Sequence, residues 1–389
     1  MKFFFNYDKL LLCTFFKSLH LALYINKICY ALGCMTKLGY WASQEQYSMN
    51  DLIKFVTEAE KVGFDQTLTS DHFHPWSHTN GYGNFTWVWL AVAAERTKNM
   101  KFITGVTAAV YRYNPGVIAQ AFASLDVLYP GRIGLGIGTG EAMNEVSLGF
   151  DWPSADTRLE RTTEAIKIIK KLWNKGNYDK EIRSSLNKNI NDDNNDNDGF
   201  VNFKGQYYNI KNAKLYTPPS TNIPLYMAGS GKEAIQTAAR LTDGLITTSK
   251  PNNSSETFDI FDKAAREVGK DPDKLEKIGK PVISYSEDYD KAFKSCEFWR
   301  TSKIDNAFDR DINDPRLLEK TAKEEVSDEE LKKSILIVTS IEDLIKPIEE
   351  YFKAGFTQVY THSTSPNEIE FIQKFCNKVL PYFKGKGIN

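Results

Sequence analysis

The sequence predicts an α/β fold, a (β/α)8 barrel of TIM type with insertions at the C-terminal face of its strands. Three observations carry that expectation. Eight short, β-rich apolar runs recur along the chain, helical stretches with recognisable ends separate them, and two insertions interrupt the alternation. The runs are 37–43, 64–70, 101–108, 132–138, 225–228, 245–248, 281–285 and 356–362. The first helix shows how the intervening stretches are read. Ser48 is placed to cap it, Leu52, Phe55, Val56, Ala59 and Val62 recur at helical spacing, and Gly63 ends it. Further helices fit at 159–175, 232–241, 341–354 and 368–383, with Pro347 delaying or kinking the third of these. The last buries Ile369, Ile372, Cys376 and Val379.

Strands that alternate with helices pair in parallel through crossovers, and eight repeats fit a closed barrel. An open doubly wound sheet is the alternative. Its turn reads G-x-G-x-x-G at a helix start, and Gly136-Ile137-Gly138-Thr139-Gly140 has a different spacing.

Composition narrows the class. The chain has 389 residues, of which 25% are charged and 41% hydrophobic, so it is globular rather than disordered. Lys+Arg is 49 against Asp+Glu 50, which leaves no basic field for nucleic acid. Five cysteines do not make a disulfide framework, and Cys296 and Cys376 read as free thiols of a cytoplasmic protein. Residues 1–34 read as a leader outside the fold, with Met35 as the working start and a single domain over 35–389. A signal or surface anchor is the alternative. Lys9, Lys17, His20, Asn26 and Lys27 break up the leader, so no run of about 18 apolar residues spans a membrane. Ala31-Leu32-Gly33-Cys34 lies far from the apolar core for a cleavage site.

The first insertion, 187–199, is rich in Asn and Asp and reads as a flexible solvated loop. Its EF-hand-like start lacks the bidentate Glu at position twelve, where Gly205 stands. The second, about 286–334, is charged and helical in pattern. It would sit over the barrel mouth after strand seven.

Active sites of such barrels gather where strands end. The residues found there are Glu45; Asp71, His72, His74, Trp76 and His78; Gly105 and Val106; Thr139, Gly140, Glu141 and Asn144; Gly229, Ser230 and Gly231; Thr247, Thr248, Ser249 and Lys250; and His362. His72 and Glu141 form the best acid–base pair, since an imidazole can take a proton near neutrality and a partly dry carboxyl can give one. The structural alternative has His72 tying strand ends and Glu141 capping a helix. His72, His74 and His78 invite a zinc site, but Pro75 and Trp76 interrupt them and no metal is expected. Gly229-Ser230-Gly231 before a helix is either a phosphate nest or a tight turn. Trp87 and Trp89 read as core and Trp76 as pocket. Arg112-Tyr113-Asn114-Pro115 reads as a helix entrance.

Several stretches together resemble a known family. They are Leu38-Gly39-Tyr40-x-Ala42-Ser43-x-Glu45-Gln46, Ser70-Asp71-His72-Phe73-x-Pro75-Trp76, Arg112-Tyr113-Asn114-Pro115 with Ile118-Ala119-Gln120-Ala121-Phe122-Ala123, and Gly138-Thr139-Gly140-Glu141-Ala142-x-Asn144-Glu145. The family is the coenzyme F420-dependent glucose-6-phosphate dehydrogenases of the luciferase-like monooxygenase superfamily. The resemblance is dense to about residue 150 and looser beyond. It implies hydride transfer from a CH–OH carbon to the deazaflavin C5 of coenzyme F420, in a homodimer. It puts His72 on the hydroxyl proton, Glu141 as proton donor to the deazaflavin, and Trp76 and Glu45 around the reaction centre. Asp71, Ala108, Thr139, Gly140, Asn144, Ser230, Gly231, Glu233 and Ala234 fall at cofactor contacts, and Gly105-Val106 at a cis-peptide bulge. Thr248 and Lys250 fall at the sugar-phosphate site. Val282 and Glu297 stand near positions where that site is basic, so a sugar phosphate, a plain sugar and another alcohol are all open as substrate. An FMN-dependent monooxygenase and a non-catalytic flavin-binding relative are the competing functions.

Overall fold

A computed structural model describes residues 37–173, 199–307 and 310–385. The leader 1–34 and the loop 187–199, apart from Gly199, lie outside them. Eight parallel strands close into the expected barrel: β1 (Lys37–Ala42), β2 (Gln66–Thr69), β3 (Lys101–Thr104), β5 (Ile133–Gly138), β8 (Leu225–Ala228), β9 (Gly244–Thr247), β10 (Glu276–Gly279) and β13 (Gln358–Ser363), which returns to β1. Barrel order is sequence order, as right-handed crossovers dictate. Helices α1 (Met49–Val62), α2 (Thr86–Arg96), α3 (Pro115–Leu128), α5 (Ala155–Trp173), α6 (Lys232–Leu241), α7 (Ser254–Glu267), α11 (Ile345–Lys353) and α12 (Glu368–Lys378) cover the outside. Trp41, Leu68, Ile103, Tyr226, Ile278 and Tyr360 pack together inside the barrel. A larger cluster joins strands to helices.

Local chemistry explains most element ends. The Ser48 hydroxyl accepts from Asp51 N, and Gly63 ends α1 at φ 126°. Leu52, Val56 and Ala59 are buried, while Phe55 and Val62 are half-buried. Asn114 caps α3 with Pro115 at its first position. Pro347 sits in the first turn of α11, after a 3-10 turn over Ile341–Leu344, so the helix starts late as expected. The final helix ends at Lys378 and a separate α13 (Leu380–Gly385) follows. Ile369 is only half-buried.

Three strand readings need correction. The third run is split: β4 (Thr107–Ala108) pairs β5 separately, after a cis peptide at Gly105-Val106. The sixth, read as 245–248, is Gly244–Thr247. The seventh, read as 281–285, is the larger error. The barrel strand is β10, and Pro281 interrupts the ladder before β11 (Val282–Tyr285) resumes against β13 and β12 (Leu336–Val338). Proline has no N–H to give the ladder. Helices α2 and α7 also went unread.

The second insertion is helical as expected. It comprises α8 (Tyr289–Ser295), a 3-10 turn over Cys296–Lys303, α9 (Pro315–Glu325) and α10 (Asp328–Ser334). It packs its own core over the mouth, with Trp76 and Met143 of the barrel side joining Cys296, Trp299, Ile304, Leu318 and Val326. A hairpin of β6 (Val201–Lys204) and β7 (Asn209–Ala213) docks on α5 through Glu164, which accepts N–H bonds from Gln206, Tyr207 and Tyr208.

Candidate active site

The ends of β1, β2 and β5 bring three ionisable side chains together. His72 Nε2 lies 3.3 Å from Glu45 Oε1, and His72 Nδ1 lies 3.9 Å from Glu141 Oε2. Glu45 is 2% exposed, His72 9% and Glu141 18%, so exposure rises from the floor to the opening. Ser43 and Ser70 hydroxyls donate to Glu45 Oε2, the first at 3.3 Å.

Asn144 organises the group. It lies on the short α4 (Ala142–Glu145), whose start Glu141 flanks. Its Oδ1 accepts the backbone N–H of Phe73 at 2.7 Å and of His74 at 3.3 Å. A backbone N–H can only donate, so the amide orientation is fixed. Its Nδ2 then gives one hydrogen to Glu141 Oε2 at 2.6 Å and the other to His72 Nδ1 at 3.2 Å. Nδ1 is therefore an acceptor, and neutral His72 carries its proton on Nε2, toward Glu45. Trp76 is buried beside this pair, its ring 6.0 Å from the imidazole.

Asp71 sits behind, wholly buried. It accepts from Thr107 Oγ1 at 2.8 Å and from Arg112 Nη2, with Tyr113 OH 3.5 Å away. Burial and then the Asp71 charge push the Tyr113 hydroxyl well above its usual range. Arg112 thus does more than open a helix, and its buried Nη1 has no partner among the described residues. Glu145 accepts from Arg112 N at 2.7 Å, and burial lifts its carboxyl to about 7.

The remaining expected residues spread along the same rim. Gly105 and Val106 are half-buried, and Ala108 is buried. A Cβ on Gly138 would lie 2.4 Å from Val106 Cγ2, so the glycines of β5 admit the bulge rather than a phosphate. Thr139 and Gly140 are half-buried beside Glu141. Ser230, Gly231 and Glu233 are exposed and Ala234 is half-buried at the start of α6, which no side chain caps. Thr248 and Lys250 are exposed, and Lys250 Nζ donates to Lys333 O at 3.0 Å. The three histidines of the zinc reading diverge: His74 Nδ1 faces Ser147 Oγ and Asn313 O, while His78 is exposed. Glu297 accepts from Arg300 Nε at 2.9 Å, so its charge is offset locally.

With this geometry in place, comparison decides the family. Residues 31–358 match the luciferase-like monooxygenase model. The chain belongs to the luciferase-like monooxygenase family. An F420-dependent glucose-6-phosphate dehydrogenase of Microbacterium testaceum is 32% identical over 348 residues, covering 89% of this chain and 96% of that one. Another, from Amycolatopsis mediterranei, is 32% identical over 91% of this chain and 100% of its own. A solved F420-dependent secondary alcohol dehydrogenase, in complex with an F420-acetone adduct, is 34% identical with a TM-score of 0.80, covering 89% and 98%.

This luciferase-like barrel also holds groups that sequence reasoning missed. Lys280, Lys303, Trp41 and Trp299 border the mouth. Lys280 was hidden by the strand-seven error. Counted before a strand starting at Pro281 it belongs to the barrel floor, whereas after a strand ending at Gly279 it belongs to the rim.

Proposed function

We propose that the protein is an F420-dependent oxidoreductase that removes a hydride from the CH–OH carbon of an alcohol, sugar or sugar phosphate. The observation that carries this reading is the Glu45–His72–Asn144–Glu141 constellation at the barrel mouth. The F420-dependent relatives support it.

The residues present fit such a cofactor. The first N–H groups of α6 are uncapped, and a Cβ on Gly231 would meet nothing within 4 Å, which leaves room for an anionic tail. Thr139, Gly140, Ala108 and the Gly105-Val106 bulge would border the ring, with Asn144, Asp71, Ser230, Glu233 and Ala234 completing the surround. Bound there, the deazaflavin supplies a hydride acceptor at C5.

The chain handles the protons. His72 Nε2–H is a donor and positions the alcohol oxygen. The acceptor left beside it is Glu45 Oε1, so the hydroxyl proton goes to the His72–Glu45 pair with the carboxylate as terminal base. Glu141 Oε2 is engaged by Asn144. Its Oε1 makes no hydrogen bond among the described residues, so it can hold a proton at the open side of the site. Trp76 and the helical insertion exclude water around the reacting carbon. Thr248 and Lys250 border the approach for the rest of the substrate.

We propose in addition that the protein is a cytoplasmic homodimer. Val88 and Val92 of α2 and Val117 and Leu128 of α3 form an exposed apolar stripe, which a second copy would bury. Val88→Lys with Leu128→Lys should give a monomer on sedimentation. Cys296 and Cys376 are unpaired and buried, in keeping with a reducing compartment. No described helix is long and apolar enough to cross a membrane.

The test is a panel of alcohols and sugar phosphates, glucose 6-phosphate among them, scored by loss of oxidised F420 absorbance. Micromolar F420 binding with turnover of at least one alcohol is the expected result. Binding of FMN in its place, or F420 binding with no turnover of any alcohol, would overturn it.

A further inference from the structure

Across the mouth lies a set of polar groups that the proton chemistry above does not use. Lys280 follows β10, and its Nζ stands 3.9 Å from the centroid of the Trp41 ring. Lys303 ends the 3-10 turn of the insertion. Both are half-buried. Neither ammonium has a carboxylate within ion-pair distance or a hydrogen-bond acceptor among the described residues. His362, on β13, is wholly buried, and both its ring nitrogens lack partners among the described residues. Its ring lies 5.2 Å from Trp41 and 4.4 Å from Trp299, so two indoles wall the group.

Electrostatics ties these groups together. Burial lowers Lys280 to about 8, with Glu45 opposing the shift, Lys303 adding repulsion and Glu141 again opposing. Burial also lowers Lys303 to about 8, with Lys250 adding repulsion. His362 is held well below its usual range, first by burial and then by Lys280 and Lys303. A charged group out of water needs a counter-charge or hydrogen bonds, and one cation–π contact replaces little of an ammonium's hydration. Here two cations approach the same imidazole with no carboxylate at ion-pair distance and no hydrogen bond among the described residues.

We infer that the substrate carries an anionic group, phosphate or carboxylate, and that Lys280 and Lys303 hold it. This rests on the CH–OH reading for the site but uses residues that reading leaves idle. The resemblance to sugar-phosphate enzymes pointed instead to Thr248 and Lys250, and Lys250 is turned to the Lys333 carbonyl. The recognition chemistry is that of two ammonium donors on one anion, in a site walled by indole faces.

The test begins without cofactor. Inorganic phosphate is titrated into the protein and followed by tryptophan fluorescence, since Trp41 and Trp299 flank the site. Saturable binding is expected, weakened at least tenfold by Lys280→Met and by Lys303→Met. Both variants should melt no lower than the parent, because each removes an unpaired buried charge. With F420 present, paired substrates are compared: glucose with glucose 6-phosphate, and 2-propanol with lactate. In the parent the charged member should have the higher kcat/KM. The double variant should cut the charged-to-neutral ratio at least tenfold, through KM. The phosphate and lactate arms tell which anion the site takes. Equal phosphate binding in parent and variants, a lowered melting temperature, or preference for the neutral members would each overturn the inference. Lysine-dependent phosphate binding with no turnover of any alcohol would keep the anion site and sink the oxidation reading.

Discussion

The two sides of the barrel mouth are built differently. On the side of β1, β2 and β5, each nitrogen of His72 has a polar neighbour, Glu45 is held by two serines, and Asn144 has its amide oxygen and both amide hydrogens engaged. On the side of β10, β13 and the insertion, two ammonium groups, one of them over the Trp41 ring, and an imidazole in ring contact with Trp41 and Trp299 have no polar partner among the described residues. A satisfied network fixes tautomers and directions, and that is what proton transfer needs. An unsatisfied cluster is costly in the empty protein and gains most when a complementary ligand arrives. The contrast is what the proposed division into a preorganised reaction side and a recognition side calls for.

The largest expected effects come from breaking the reaction side. His72→Ala, Glu45→Gln and Glu141→Gln should each lower kcat by about 10² or more, with F420 affinity kept within a few-fold. Steady-state kinetics beside a cofactor titration checks this. Unchanged turnover in Glu45→Gln alone would return the base role to the imidazole.

Asn144→Asp comes next. The substituted side chain cannot donate, and it would set a carboxylate against Glu141 and leave His72 Nδ1 without its hydrogen bond. A loss of about tenfold or more in kcat/KM is expected, with an altered pH profile. A profile that keeps its shape would show that Asn144 does not orient His72.

The smallest effect tests the recognition side through stability. Lys280 binds its proton less tightly folded than unfolded, about 8 against 10.5. Between those values the unfolded chain holds more protons, so stability rises with pH across the window, and the penalty is complete below about 8. The rise is worth at most about 3 to 4 kcal/mol for this group. Denaturant titrations at pH 7.5 and 9.5 should show it in the parent and show less of it in Lys280→Met. A parent whose stability rises no more between the two pH values than the variant's would mean that the ammonium is already neutralised.

Much of the reaction side was legible in the sequence because its residues follow strands whose ends are marked. Ser70-Asp71-His72 closes a short apolar run, and Gly138-Thr139-Gly140-Glu141 closes another. The recognition side was not legible, and strand seven shows why. Glu276-Lys277-Ile278-Gly279 carries two charges and falls outside the run read as 281–285, yet it is a barrel strand. Its charges are absorbed by partners on other elements, Glu276 by Lys37 at 2.5 Å and Lys277 by Asp262 at 2.8 Å. Composition could not reveal those pairings, so the strand boundary slipped and Lys280 fell on the wrong end of the barrel.

By itself the chain's sequence determined the repeat count, the caps at Ser48 and Asn114, and the rim position of His72 and Glu141, because periodicity and end signals are local. Tertiary structure alone decided which way the Asn144 amide faces, and that Trp41, Trp299 and His362 form one wall beside Lys280. Those arrangements join β1, β5, β10, β13 and the insertion, segments up to about 320 residues apart, and depend on ring closure of the barrel, which no local window of sequence encodes.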